Sequence, residues 1–210
     1  MGFLFIFTIF VIMKKIYNIP SYSDALELSS RTDVFYESKT IIDNFTISTF
    51  NYRLAQFSDF ENPIEGSELN GYEMRGITYV FNTDGSLFNR HILLDKFFNL
   101  NQVESSVYSV VKDFKIRSIH NKEDGSVASF VKLPNGRVLG KSKMSFDSDQ
   151  AVGINRIYNT NADVKNFVDW TLDNGIDAVF EYVSPMNRIV LRYLQEELIL
   201  LRMRDNKTGE

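Results

Sequence analysis

At 210 residues, 44% hydrophobic and 24% charged, the chain has enough apolar side chains for one good-sized core or two small ones. A net charge of −4 excludes a generic nucleic-acid binder, so any polyanion site must be a local cluster of cations. The absence of cysteine excludes disulfides and thiolate metal sites and fits a reducing compartment, and with two histidines a metal would have to rest on carboxylates and phosphates, which favours magnesium.

The first element in chain order is apolar. Gly2 to Met13 is hydrophobic except for Thr8 and is followed by Lys14-Lys15. It is shorter than the roughly 20 residues of a bilayer span, has no basic segment before it and no small-residue cleavage site after it. It reads either as an anchor or signal, or as an extension upstream of a natural start at Met13. The second reading is preferred, which makes residues 1–13 an extension and 14–210 the folded part. Residues 41–60 alternate through Ile42, Phe45, Ile47, Phe50, Tyr52 and Leu54, as one or two strands would. Gly76–Phe81, the turn Asn82-Thr83-Asp84-Gly85 and Ser86–Phe88 predict a β-hairpin.

A second hairpin is expected where Lys122-Glu123-Asp124-Gly125-Ser126 separates Phe114–Ile119 from Val127–Val131, because Asp-Gly between apolar runs is a strong turn signal. Pro134-Asn135-Gly136 leads into a further strand through Lys141-Ser142-Lys143. Helices follow at 148–158 and 161–173, the second with Asn161 as N-cap and Asn174-Gly175 as its end. Ala178–Val183 reads as a strand and 188–204 as a last hairpin, after which the returning strand is missing, so the chain is expected to be truncated. Runs of strands with two inserted helices predict an α+β fold with antiparallel sheets.

Lys122 is the residue with the most chemistry in prospect. An amine of pKa about 10.4 is protonated at neutral pH and becomes a nucleophile only through burial or neighbouring cations. Arg75, Lys141 and Lys143 are candidate cations, while a plain solvated turn is the competing reading. Glu181, between Phe180 and Tyr182, is a carboxylate in an apolar strand. His91 and His120 read as incidental, and Phe97-Phe98 as core.

The ordered set Arg75-Gly76, Lys96-Phe97-Phe98-Asn99-Leu100-Asn101, Lys122-Glu123-Asp124-Gly125-Ser126, Lys141-Ser142-Lys143, Phe180-Glu181-Tyr182-Val183 and Pro185-Met186-Asn187-Arg188-Ile189-Val190 closely resembles the phage RNA ligase 1 family. That family is typified by the T-even bacteriophage tRNA-repair enzyme, and the resemblance runs from Phe45 to Glu210. It implies an ATP-grasp-like nucleotidyltransferase domain that seals RNA 5′-phosphate to 3′-hydroxyl ends. By resemblance Lys122 is the nucleophile that takes AMP from ATP. Tyr52, Arg75, Lys96, Glu123, Lys141 and Lys143 are nucleotide contacts, and Glu181 contacts the nucleotide or its magnesium.

The implied cofactors are ATP and Mg²⁺, the implied partner is RNA with tRNA-like broken ends, and the implied setting is the cytoplasm of an infected bacterium, with no membrane association. Met144 replaces a glycine, and Ser184 and Met186 vary within a matching stretch. The family's later acidic motif, its pair of phosphate-gripping lysines and its helical C-terminal domain have no counterpart, so an incomplete domain is expected. The rival readings are a ligase half that needs a C-terminal fragment of the same enzyme, a non-catalytic nucleotide- or RNA-binding remnant, and a ligase for DNA or nicked duplexes. Lys96–Asn101 argues against the last.

Overall fold

The computed structural model describes residues 18–116, 119–187 and 189–210, so the apolar extension at 1–13 lies outside the described residues. The chain divides into a larger compact unit, Tyr17–Lys96 with Asp124–Glu210, and a smaller one, Met1–Ile16 with Phe97–Glu123.

The larger unit is built on two antiparallel four-stranded sheets. The first is a meander of β1 (Phe35–Ile42), β2 (Phe45–Tyr52), β3 (Thr78–Phe81) and β4 (Leu87–His91). Asp43 and Asn44 both take positive φ, 51° and 67°, which is the backbone of a two-residue hairpin turn whose twist matches its strands. The second sheet has the order β6-β5-β7-β8, from β5 (Ser126–Lys132), β6 (Val138–Ser142), β7 (Ile176–Val183) and β8 (Glu197–Asp205). The fold is therefore of mixed α and antiparallel β structure, as expected.

Side-chain alternation gives each sheet two covered faces. Helix α1 (Tyr22–Arg31) closes the outer face of the first sheet, with Tyr22 edge-on to Phe50, Tyr79 and Phe81. Its N-terminus is fixed by a capping box between Ser21 and Asp24. On the outer face of the second sheet, Ala128, Phe130, Phe180 and Tyr182 pack with Ile154 and Tyr158 of α4 (Asp149–Thr160) and Val168 and Leu172 of α5 (Ala162–Asp173). Asn161 caps α5 as predicted, its side chain accepting from Asp163 and Val164 N–H, and Gly175 ends it at φ 70°. The inner faces meet through Ile47 and Val80 against Val131, Leu133 and Leu139.

Polar groups cross this inner interface as well. Arg204 on β8 is fully buried and grips Glu73 through two bonds of 2.9 and 2.7 Å, and its remaining donors reach Leu93 O and Gly209 O. His91 is no incidental residue for the fold. Its Nδ1 lies 2.7 Å from Asp177 Oδ1, and its Nε2 accepts the Lys132 N–H, which assigns the ring proton to Nδ1. Asp177 Oδ2 also accepts the Ile92 N–H.

Three expectations need correction. Phe114–Ile116 and Ile119 form no strand, so the segment around Lys122 is not the second half of a hairpin. Gly125 is not there for turn geometry. Its φ is not positive, and a Cβ on it would sit 2.2 Å from Tyr182 O, so the residue is small because β7 passes against it. Asp124 likewise serves the loop before β8, accepting the N–H groups of Val190 and Leu191 at 2.5 and 2.7 Å. Lastly, the described part of 188–204, from 189 on, is not a hairpin but a connection followed by one nine-residue strand, β8. Its Arg202 and Arg204 break an otherwise apolar run because they face carboxylates, Asp95 and Glu73. Helix α1 and strand β1 also lie where no element is predicted.

In the smaller unit, a 3-10 turn (Glu104–Ser106) and the short α3 (Tyr108–Val111) bury Val103 and Val111. Asn101, at φ 63°, accepts the Tyr108 N–H through its side chain.

Replacing Glu73 by Ala strands the Arg204 guanidinium in the interior, and a loss of about 3–5 kcal/mol is expected. Removing the exposed Glu27 of the Arg31–Glu27 pair should cost less than about 1 kcal/mol. Urea unfolding of both variants checks this, and equal midpoints would be the contrary result.

Candidate functional site

The site in the larger unit starts from a close crossing of two backbones. Gly76, at φ 95°, enters β3, and a Cβ on it would lie 2.7 Å from Lys143 O at the exit of β6. Only glycine combines that φ with that approach. Arg75 therefore stands beside Lys143. The Gly76 N–H bonds Phe50 O at 2.8 Å and the Lys96 N–H bonds Tyr72 O at 2.8 Å, so the segments that carry Arg75 and Lys96 are anchored through their backbones.

An aromatic pair underlies the cations. Tyr52, the last residue of β2, meets Phe60 of α2 (Phe57–Glu61) edge to face at 4.8 Å. Lys143 Nζ lies 5.2 Å from the Tyr52 ring centre, and Lys96 Nζ lies 5.6 Å from that of Phe60, which is cation–π range. Burial lowers the amine pKa of Lys96 from its ordinary value, and the charges of Arg75 and Lys143 lower it further. Lys143 is lowered in the same way by burial and then by Arg75. Like charges are being held together, an arrangement a polyanion relieves.

Lys141 sits behind this cluster and is fully buried. Its Nζ donates to Gly76 O at 3.3 Å and Lys143 O at 3.0 Å. Desolvation brings its pKa down to about 7, with Lys143 adding to the fall and Asp177 opposing it. Glu181 is nearly buried on the same inner face. It pairs with Val127 in register as Lys141 pairs with Ser129, and its Oε1 accepts the Gly125 N–H at 2.9 Å.

The structure thus brings Tyr52, Arg75, Lys96 and Lys143 together, sets Lys141 behind them and places Glu181 in the same sheet. Lys122 and Glu123 belong to the smaller unit. There the Lys122 side chain is exposed, with Nζ 3.5 Å from Glu123 O, so it lacks the burial that would activate an amine.

Sequence reading missed Phe60, an aromatic in a polar segment with no pattern to flag it. It also missed Asn51 and Ser129, buried on the facing inner surfaces of the two sheets, whose Oδ1 and Oγ are without a hydrogen-bond partner. No group of three or more His, Cys, Asp or Glu that could hold a metal occurs among the described residues. The lone Glu181 carboxylate fits magnesium held mainly by water and substrate phosphate, not an all-protein cage. A cavity of about 440 Å³ lies elsewhere, beside β6, α4 and α5, where Arg137 is engaged by Asp43 and Lys165 by Asp169. No helix among the described residues is long and apolar enough to cross a membrane.

Residues 73–210 match the family model described as RNA ligase. That span holds every site residue expected from the sequence except Tyr52. A protein of Thermovibrio ammonificans named "Putative RNA ligase" is 29% identical over 159 residues, which cover 76% of this chain and 39% of that protein. The chain therefore spans well under half the length of this relative.

Lys141 gives a pH dependence whose sign is fixed. Between about pH 7 and the unfolded value near 10.4, the unfolded chain binds a proton that the folded chain does not, so stability falls as pH falls across that window. The difference in unfolding free energy, wild type minus Lys141→Met, should rise with pH there by up to about 1.4 kcal/mol per unit and flatten below pH 7. Parallel stability curves for the two proteins would contradict the assignment.

Proposed function

We propose, because this chain belongs to the phage RNA ligase 1 family, that it carries the ATP-binding and lysine-adenylylating part of an RNA ligase. The observation that carries the reading is the crowding of Lys96 and Lys143 over the Tyr52–Phe60 pair with the Arg75 charge near both, a cationic cluster in a chain of net charge −4. It is the kind of local cluster that a polyphosphate requires.

In this reading Lys122 Nζ attacks the α-phosphorus of ATP. A P–N bond forms, the P–O bond to pyrophosphate breaks, and the amine proton passes to solvent. Arg75, Lys96 and Lys143 balance charge moving onto the pyrophosphate oxygens, which is the main electrostatic demand of phosphoryl transfer. Phosphate oxygens beside Lys96 and Lys143 would oppose the burial that lowers their amine pKa values and favour the charged forms. Glu181 would hold magnesium, which supplies further charge neutralisation on the phosphates when bound. Tyr52 offers its ring to the Lys143 amine, and Glu123 offers backbone groups next to the nucleophile. AMP then passes to an RNA 5′-phosphate, and a 3′-hydroxyl displaces it to join the strands. RNA with broken, tRNA-like ends in the cytoplasm of a phage-infected bacterium is the proposed substrate and setting.

A second reading has a specific observation in its favour. Strand β8 ends the second sheet with Leu200, Leu201 and Met203 partly exposed, and the relative extends well beyond the aligned stretch. In this reading adenylylation needs a further portion of the ligase packed against that strand.

Incubation with magnesium and ATP labelled in the α-phosphate should give a covalent label that Lys122→Ala abolishes. Label that persists in Lys122→Ala would overturn the assignment. Label that appears only when the downstream portion is added would select the second reading. ATP retained without any label would point to a binding remnant.

A further inference from the structure

The inward amine of Lys141 has a task that no contact with substrate explains. Its two acceptors, Gly76 O and Lys143 O, belong to the two backbones that cross at the cation cluster. Gly76 follows Arg75 directly, and Lys143 carries the second cation itself. Two carbonyl oxygens aimed into a buried space repel one another and lose their water, so each needs a donor there. Thr78 Oγ serves Gly76 O as well, at 3.1 Å, whereas Lys141 is the donor common to both carbonyls. The amine is fully buried, which leaves it no face to offer a nucleotide.

We propose that Lys141 is a positioning residue, which pins the backbones of Gly76 and Lys143 together and so sets the separation of the Arg75 and Lys143 side chains that receive the ATP phosphates. This rests on the nucleotide reading of the cluster. Without the shared donor the two carbonyls move apart, and the cations reach the polyphosphate from the wrong spacing. The amine's own charge takes no part.

The test uses the absence of native cysteine, which makes Lys141→Cys the sole thiol. Alkylating the unfolded variant with 2-bromoethylamine and refolding restores an amine of nearly the same length. Alkylation with 1-bromopropane gives the same volume without a donor. Equilibrium dialysis with labelled ATP and magnesium reads the dissociation constant, and circular dichroism checks the fold. The aminoethyl form should bind ATP within about threefold of wild type and the propyl form about tenfold or more weakly, though folded. Equal binding by the two forms overturns the proposal. If the alkylated chains do not refold, Lys141→Gln, whose amide offers two N–H donors, should bind ATP more tightly than Lys141→Met, and equal affinities overturn the proposal in the same way. Wild type that binds no ATP removes the nucleotide reading and this inference with it. Wild type that binds ATP while the propyl form binds equally well removes the inference alone.

Discussion

The buried ion pair between Arg204 and Glu73 is the constraint on which the rest of the larger unit depends. Arg204 comes from the last strand, Glu73 from the loop that delivers Arg75, and the same guanidinium reaches Leu93 O on the way to Lys96. A fully buried charge is tolerable only where hydrogen-bond partners surround it, and here four contacts engage all three guanidinium nitrogens. The consequence is positional. Two cation-bearing segments remote in sequence from β8 are tied to it, so the cation cluster is fixed from behind by a buried ion pair. His91 with Asp177, and Lys141 with Gly76 O, repeat the pattern at two further points between the sheets.

Apolar contacts alone would leave this interface free to slide. Ile47, Val80, Val131, Leu133 and Leu139 supply burial but little direction. The directional groups set the register between sheets, and that register decides where Arg75, Lys96 and Lys143 end up. Burial first, and the neighbouring like charges second, disfavour the charged amines of Lys96 and Lys143. The cost is borne by the packing around them and is relieved when an anion enters. Lys122 belongs to the smaller unit, and its side chain there is exposed.

Legibility in the sequence followed the range of the interaction. The β3–β4 hairpin, the Pro134–Gly136 turn, the Asn161 cap and strand β7 were all readable, because Gly, Asn and alternation act within a few residues. The supposed hairpin at Lys122 failed because Gly125 answers to the approach of Tyr182 O, a contact 57 residues away that imitates a turn signal. Strand β8 was misread because Arg202 and Arg204 look like polar breaks until their partners Asp95 and Glu73 are known. At the site, Arg75, Lys96, Lys141, Lys143 and Glu181 were visible as residue types in a family order. Phe60 and the orphaned Asn51 and Ser129 were not, since nothing local marks them.

By itself the sequence determined the class of fold, the family and the identity of the ionisable groups. These follow from periodicity, turn residues and an ordered set of motifs, all carried along the chain. Only the tertiary structure decided which of those groups lie in the cation cluster and which are sealed in the interior. Lys141 and Lys143 are two residues apart and chemically alike, yet one is sealed between sheets and the other lies over Tyr52. The difference is desolvation and the supply of acceptors. Both depend on what the fold packs against each amine, and no spacing along the chain encodes them.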